Sequence, residues 1–286
     1  MSNFKKRMES YRRHPGSFLL FLLVMLSALA TFVVLLFLIA YILIKGVPNL
    51  KPSLFSWTYT TENASMLPSI VNTLIMTVLS LLIAVPLGIF SAIYLTEYAK
   101  KGNKLVAVVR LTTETLSGIP SIVYGLFGSL FFVTYLKWSY SLAAGALTLA
   151  IMILPLVMRT TEEALKSVPD MYREGSFGLG AGKLRTVFCV VLPSAIPGIL
   201  SGVILSIGRI VGETAALMYT SGTVAKYAGA MESGRTLALH MYVLTSEALH
   251  VDQASATAVV LLIIVIGINA FSGFIAKKLA KKTGEE

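Results

Sequence analysis

The chain has 286 residues, of which 56% are hydrophobic and only 13% charged, and its formal net charge is +10. So apolar a composition is typical of an integral membrane protein and excludes an ordinary water-soluble one. The basic residues flank apolar segments and form no continuous patch, which favours contact with anionic lipid headgroups and argues against nucleic-acid binding.

Six segments lack Asp, Glu, Lys and Arg over about the 20 residues that a bilayer-spanning helix needs. Because they are continuously apolar, they predict helices and not the alternating strands of a membrane barrel. The sequence therefore predicts an all-α polytopic membrane protein with six transmembrane helices, at residues 18–44, 67–96, 115–136, 138–158, 186–208 and 254–276.

The basic residues also predict the orientation, because short cytoplasmic segments accumulate Lys and Arg. If the amino terminus lies inside, 18 of the 24 Lys and Arg fall in the four inner segments. We therefore expect both termini to be cytoplasmic. The expected domains are a basic segment at 1–16, a six-helix domain at 17–279 and a tail at 280–286.

The first span follows the basic segment and could be mistaken for a secretory signal. Its apolar run continues to Ile44, well beyond the roughly 7–15 residues of a signal's apolar core, so we predict a retained anchor.

Prolines and a charge pair mark spans two to four. Pro86, Pro120 and Pro155 lie inside or near the ends of these spans and predict bends or breaks. Arg110 and Glu114 are four residues apart, a spacing that predicts a structural ion pair on one helical face.

Small residues recur every four positions in spans three and five, in a pattern that lets helix backbones approach closely. The pattern favours helix packing over direct substrate contact. These residues are Ser117, Ser121, Gly125 and Ser129, then Gly198, Gly202 and Ser206.

A polar segment at 159–186 separates spans four and five. It contains Glu174-Gly175-Ser176 and Gly180, and Val190-Val191-Leu192-Pro193 follows. A polar insert between apolar spans predicts contact with a soluble partner. It is not a Walker A phosphate loop, because Phe177 replaces the first glycine and Leu184 the Ser or Thr.

The fifth span ends in Gly208-Arg209-Ile210-Val211-Gly212-Glu213. A charge within a span is costly and marks a functional site. Arg209 and Glu213 are four apart and predict a pair on one helical face. Two interpretations remain open: a buried structural pair, or an anion contact in which the forked guanidinium donors bind phosphate or carboxylate.

The polar insert resembles the EAA signature of ABC importer permeases, with Glu174-Gly175-Ser176, Gly180, Leu192 and Pro193 at the matching positions. The signature's two alanines are Gly and Ser here, and its isoleucine is Val. The resemblance implies the type I (MetI-like) permease fold. It also implies that residues 169–183 form a coupling helix that contacts a cytoplasmic ATPase.

Four further stretches resemble the high-affinity phosphate permeases, and the resemblance covers residues 67–278. Of the two paired permeases in that family, the chain is more similar to the PstA type than to the PstC type, because of its short outer loop and the region around Asn269. They begin at Asn72-Thr73-Leu74, Ala92-Ile93-Tyr94, Gly118-Ile119-Pro120 and Gly208-Arg209-Ile210. The resemblance implies that Asn72, Thr73, Arg209 and Glu213 lie on the substrate pathway. It also implies a multi-pass protein of a bacterial or archaeal plasma membrane.

The resemblance further implies alternating access with three partners: a second permease (PstC-like), an ATPase dimer (PstB-like) and an outer phosphate-binding protein (PstS-like). ATP and Mg²⁺ would bind to the ATPase, so no cofactor and no enzymatic activity are expected of this chain. Trp57, Tyr59 and the 219–253 loop are the expected docking surface for the binding protein.

Two alternatives remain open. A permease for sulfate or molybdate would keep the same fold and coupling segment. A non-transporting membrane scaffold or sensor would need the spans but not the contact with an ATPase.

Overall fold

The computed structural model describes residues 15–100, 102–246 and 250–282. Most of the predicted segments 1–16 and 280–286 lies outside these residues. The described helices are α1 (Pro15–Gly46), α2 (Leu67–Ile93), α3 (Lys104–Ser117), α4 (Ser121–Gly128), α5 (Leu142–Ser167), α6 (Asp170–Gly178), α7 (Lys183–Thr186), α8 (Leu192–Val211), α9 (Ala215–Met218), α10 (Leu237–Ser246) and α11 (Val251–Lys282).

Three short π-helical segments extend or join these helices: Tyr94–Tyr98 after α2, Ser129–Tyr135 after α4, and Val187–Val191 between α7 and α8. The third segment, Val187–Val191, lies directly before Leu192 and Pro193, the first two residues of α8.

Five continuous helices are long and apolar enough to cross a bilayer, among the described residues. The third predicted span is broken: α3 and the helix Ser121–Tyr135 meet at 103°. The break falls at Gly118 to Pro120, since Pro120 has no N–H to continue the α-helical hydrogen bonds. The prediction of six spans therefore holds if this bent pair is counted as one span, and the bend or break predicted at Pro120 is confirmed.

Helix α5 lies at the centre of the bundle, packed between α2 and α8. Its buried side chains, Leu149, Met152 and Ile153 among them, form the main apolar cluster together with Met76 of α2 and Ile210 of α8. Pro86 and Pro155 lie inside α2 and α5, which run on past them. The site described below is built on this rigid core.

Glycines permit close helix contacts, as the small-residue pattern predicts. A Cβ on Gly198 would lie 2.7 Å from the Cβ of Ala164, and one on Gly202 would overlap Thr160. A Cβ on Gly125 would lie 2.7 Å from the Cα of Ala216. These three glycines are packing residues.

Charged side chains gather at one end of the bundle, which we name the basic end. Arg110, Lys166 and Arg173 form ion pairs there, and the ammonium of Lys183 lies 5.1 Å from the ring centre of Tyr98. At the other end, Asn72 of α2 binds the 226–235 loop. By the charge distribution, the basic end is the cytoplasmic one.

Candidate functional site: the Arg209 groove and the α6 surface

Arg209 lies in the last turn of α8 and borders a groove of about 570 Å³. Helix α8 supplies most of the groove, α5 one residue and α11 the polar Asn269. We call it the Arg209 groove; its residues are Leu156, Ser201, Ile204, Leu205, Gly208, Arg209 and Asn269.

The predicted pair between Arg209 and Glu213 is not formed, and this prediction is wrong. Helix α8 ends at Val211, with Gly212 as its C-cap, so the four-residue spacing no longer places both side chains on one face. The Glu213 carboxylate is buried and accepts a hydrogen bond of 3.1 Å from the N–H of Ala216 in α9.

Among the described residues, Arg209 takes part in no ion pair. An arginine without a carboxylate partner in a largely apolar groove keeps its forked donors free for another anion. The interpretation as a buried structural pair required Glu213, so the geometry favours the anion contact.

Gly208 leaves open space beside Arg209, since a Cβ built there would meet no atom within 4 Å. At Gly202 and Gly198, six and ten residues earlier in the same helix, the space that a Cβ would need is filled by α5. Helix α8 therefore packs tightly along its first half and opens at the end that carries Arg209.

Asn72 and Thr73 hold the loop at the far end of the bundle. Asn72 is buried; its amide donates to the carbonyl oxygens of Lys226 (2.8 Å) and Arg235 (3.3 Å) and accepts from the N–H of Ala228. The Thr73 hydroxyl accepts from the N–H of Leu237 at 2.8 Å. Neither residue borders the Arg209 groove, and their geometry gives them a positioning role; a contact with the anion stays a prediction.

The predicted coupling segment contains an exposed helix, α6, at Asp170–Gly178, in which no residue is buried. Glu174 and Gly175 are exposed, and Ser176 bonds the Thr186 hydroxyl at 2.9 Å. Gly180 follows in the left-handed region, at a φ of +82°. Large apolar side chains are also exposed, namely Met171, Tyr172, Phe177, Leu179 and Leu184. We call α6 with these side chains the α6 surface.

Arg173 fastens α6 to the rest of the bundle, which the sequence did not predict. Its guanidinium lies 2.8 Å from Glu97, in the π-helical segment that follows α2, and both side chains are largely buried. It also donates to the carbonyl oxygens of Val168 and Leu165. The signal in the sequence was weak: Glu97 is the first charge after the second apolar run, but nothing in the spacing connects it to a residue 76 positions later.

Arg110 does not pair with Glu114, so that prediction is also wrong. Its guanidinium lies 2.8 Å from Glu162 of α5, which Lys166 also approaches at 2.6 Å. Glu114 is exposed one turn further along α3. The pair therefore joins α3 to α5 and does not run along α3.

The comparisons with known proteins agree with this architecture. Residues 84–285 match the family of binding-protein-dependent transport system inner membrane components. The probable ABC transporter permease protein YqgI of Bacillus subtilis (strain 168) is 33% identical over 86% of this chain and 90% of its own length. The phosphate transport system permease protein PstA of Pasteurella multocida (strain Pm70) is 41% identical over 70% of this chain and 72% of its own.

A bacterial alginate ABC transporter, solved with a pentasaccharide-bound periplasmic protein, has a chain that superposes with a TM-score of 0.70. The match covers 95% of this chain and 98% of that chain at 15% identity, and so it shows the fold. The all-α class and the type I permease fold predicted from the sequence are confirmed. The chain belongs to the family of binding-protein-dependent transport system inner membrane components, the multi-pass permeases of ABC importers.

Proposed function

We propose that this chain is a permease subunit of an ATP-driven importer of inorganic phosphate. The observation that carries the proposal is Arg209, whose guanidinium has no ion-pair partner among the described residues and faces an open groove. Planar forked donors match the oxygens of a tetrahedral anion. The identity to PstA of Pasteurella multocida over 70% of the chain supports the choice of phosphate.

The α6 surface is our proposed contact for the ATPase dimer. It is polar in sequence yet exposes Met171, Phe177 and Leu179, the last at 91%. Exposed apolar side chains rimmed by polar residues mark a protein interaction site. The Arg173–Glu97 pair would transmit movement of α6 to the end of α2, because it is the charged contact between the two elements.

A second permease subunit would close the Arg209 groove. The groove is open on one side, and an anion passing there would need a second wall to exclude lipid. Closure by a partner is consistent with a heterodimeric pathway between two permeases.

An outer binding protein would dock at the end opposite the basic end. Trp57 is 74% exposed there, and its ring lies 6.0 Å from that of Tyr227. Val224 and Met231 of the same loop are also exposed. These side chains belong to the docking surface expected at Trp57, Tyr59 and the 219–253 loop, and we propose that they form its exposed apolar part.

In the proposed cycle, ATP-driven closure of the ATPase subunits pushes α6 and opens the pathway outward, and hydrolysis resets it inward. Arg209 replaces part of the water that the anion loses. Arg209 must bind the anion weakly, since a site that bound phosphate tightly would not release it. Selectivity then rests mainly with the binding protein.

Competition between anions for uptake tests which anion the transporter carries. Proteoliposomes containing the complete transporter should accumulate labelled phosphate in the presence of ATP and binding protein, and unlabelled phosphate should compete better than sulfate or molybdate. If sulfate or molybdate competes better, the chain is a permease for that oxyanion and the phosphate assignment is wrong.

A further inference from the structure

A second cavity, of about 630 Å³, lies at the basic end, between the end of α2, the start of α3 and helix α6. We call it the inner pocket. Residues of the stretches 95–100 and 102–110 line it, together with three side chains from α5 and α6, namely Lys166, Asp170 and Arg173. The proposed transport path makes no use of it.

The inner pocket has an excess of positive charge. Five cations border it, Lys100, Lys104, Arg110, Lys166 and Arg173. Three carboxylates balance them in part: Glu97 and Asp170 bind Arg173, and Glu162 is shared by Arg110 and Lys166. Lys100 and Lys104 form no ion pair among the described residues.

The wall also holds donors without acceptors. The Thr96 hydroxyl and the Nε of Arg110 are buried and have no hydrogen-bond partner among the described residues. Buried polar atoms are almost always paired, and an unpaired one often marks an unseen water or ion. The Nε of Arg110 can only donate and the Thr96 hydroxyl can donate or accept, so both can bind an anion.

Two further features suit a phosphate group. The amino-terminal end of α3, at Asn103 and Lys104, borders the pocket, and helix amino termini attract anions. Leu95 and Val106 add an apolar side to the wall, next to the charges. A basic pocket between helices at a cytoplasmic membrane surface is the setting in which lipid headgroups bind.

We propose that the inner pocket binds a phosphate group, carried either by an anionic phospholipid or by free phosphate in the cytoplasm. Asp170 and Arg173 of α6 line the same pocket. A bound ligand would therefore lie beside the helix that we propose docks the ATPase. The inference does not depend on phosphate being the transported anion.

Binding to the purified complete transporter, without binding protein, tests the proposal in two arms. One arm titrates phosphatidylglycerol, with phosphatidylcholine as reference, and counts bound lipid by native mass spectrometry. The other measures labelled inorganic phosphate by equilibrium dialysis with Arg209→Gln present, so that the transport groove contributes nothing. The pocket variant is Lys100→Gln/Lys104→Gln, and the control Arg185→Gln/Lys278→Gln removes two exposed cations outside the pocket.

The pocket variant should weaken binding of one probe by about 30-fold, because each lysine near an anionic group contributes about 1 kcal/mol. The control should change it less than about threefold. Loss in the lipid arm identifies a headgroup, and loss in the dialysis arm identifies free phosphate. The proposal is overturned if neither probe binds the unmodified pocket, or if both double variants weaken binding equally.

Discussion

His240 is a buried residue whose environment gives a testable pH dependence. Its side chain is fully buried, its ring lies 6.2 Å from Tyr59, and the Arg235 guanidinium lies 4.8 Å from the same tyrosine ring. Burial, and then the positive charge of Arg235, lower the pKa of His240 from 6.5 to about 3. His240 is therefore neutral in the folded protein at neutral pH.

The sign of the effect follows from proton uptake on unfolding. The unfolded chain binds a proton at His240 below pH 6.5 and the folded chain does not, so stability is fully present above that pH. It should fall by about 1.4 kcal/mol per pH unit as the pH drops toward 3. Thermal denaturation of the solubilised protein at pH 7.5 and 5.0 should show a steeper loss for the unmodified chain than for His240→Gln or His240→Phe. Equal slopes in all three would contradict the assigned pKa.

A glycine is required at position 180 because of the backbone conformation there, and not because a larger side chain would meet neighbouring atoms. It adopts a φ of +82°, whereas Gly178 two residues earlier closes helix α6, and a Cβ at either position would meet no atom within 4 Å. Gly180→Ala should therefore strain the turn by about 1 kcal/mol, shift the α6 surface and lower phosphate uptake several-fold. Gly178→Ala serves as the matched control and should transport normally. Equal uptake by both variants would disconnect this turn from coupling and favour the scaffold alternative.

Residue types were easier to predict than residue partners. The sequence identified Arg209 as a costly charge in a span, but its pairing with Glu213 assumed a helix that continues past Gly212. Helix α8 ends at Val211, so Glu213 instead accepts a hydrogen bond from the N–H of Ala216 in α9. Likewise Arg110 pairs across helices with Glu162, because spacing along one helix carries no information about a neighbouring helix.

At the scale of elements, the attachment of α6 depends on one ion pair. The side chains of Glu97 and Arg173 are only 8% and 15% exposed, so Glu97→Gln leaves a largely buried guanidinium with only the exposed carboxylate of Asp170 as counter-charge. This change should lower stability by about 3 kcal/mol and uncouple ATP hydrolysis from uptake. Glu163→Gln, which breaks the exposed pair with Arg159, should cost less than about 0.5 kcal/mol. Thermal denaturation and coupled ATPase assays of the two variants measure the difference; equal behaviour would show that α6 is held by other contacts.

Most elements could be predicted from continuous apolar length, which explains why five spans and their order were found. The third span could not be predicted in full. Its apolar run gives no sign that Ser117 ends one helix and Ser121 begins another at 103°. Pro120 signalled a bend or break, but the size of the bend depends on how α4 packs against α5 and α9.

At the scale of the whole molecule, a rigid core around α5 separates three surfaces with different chemistry. The basic end presents the α6 surface and the inner pocket, the opposite end presents Trp57 and Tyr227, and the Arg209 groove opens along the side. This arrangement suits a subunit that exchanges an anion along its flank while soluble partners act at its two ends. The central claim is that the anion passes Arg209.

The most direct test compares ATP-dependent phosphate uptake by proteoliposomes that hold the complete transporter with unmodified chain, Arg209→Gln or Arg159→Gln. Arg159 is the matched control, an exposed arginine paired with Glu163 on α5. Assembly and ATPase binding are checked in each case. We expect Arg209→Gln to lose at least about 10-fold in uptake, since removal of a charged hydrogen-bond donor costs about 1.5–3 kcal/mol, while Arg159→Gln stays near the unmodified rate. Normal uptake by a fully assembled Arg209→Gln transporter would contradict the proposed pathway.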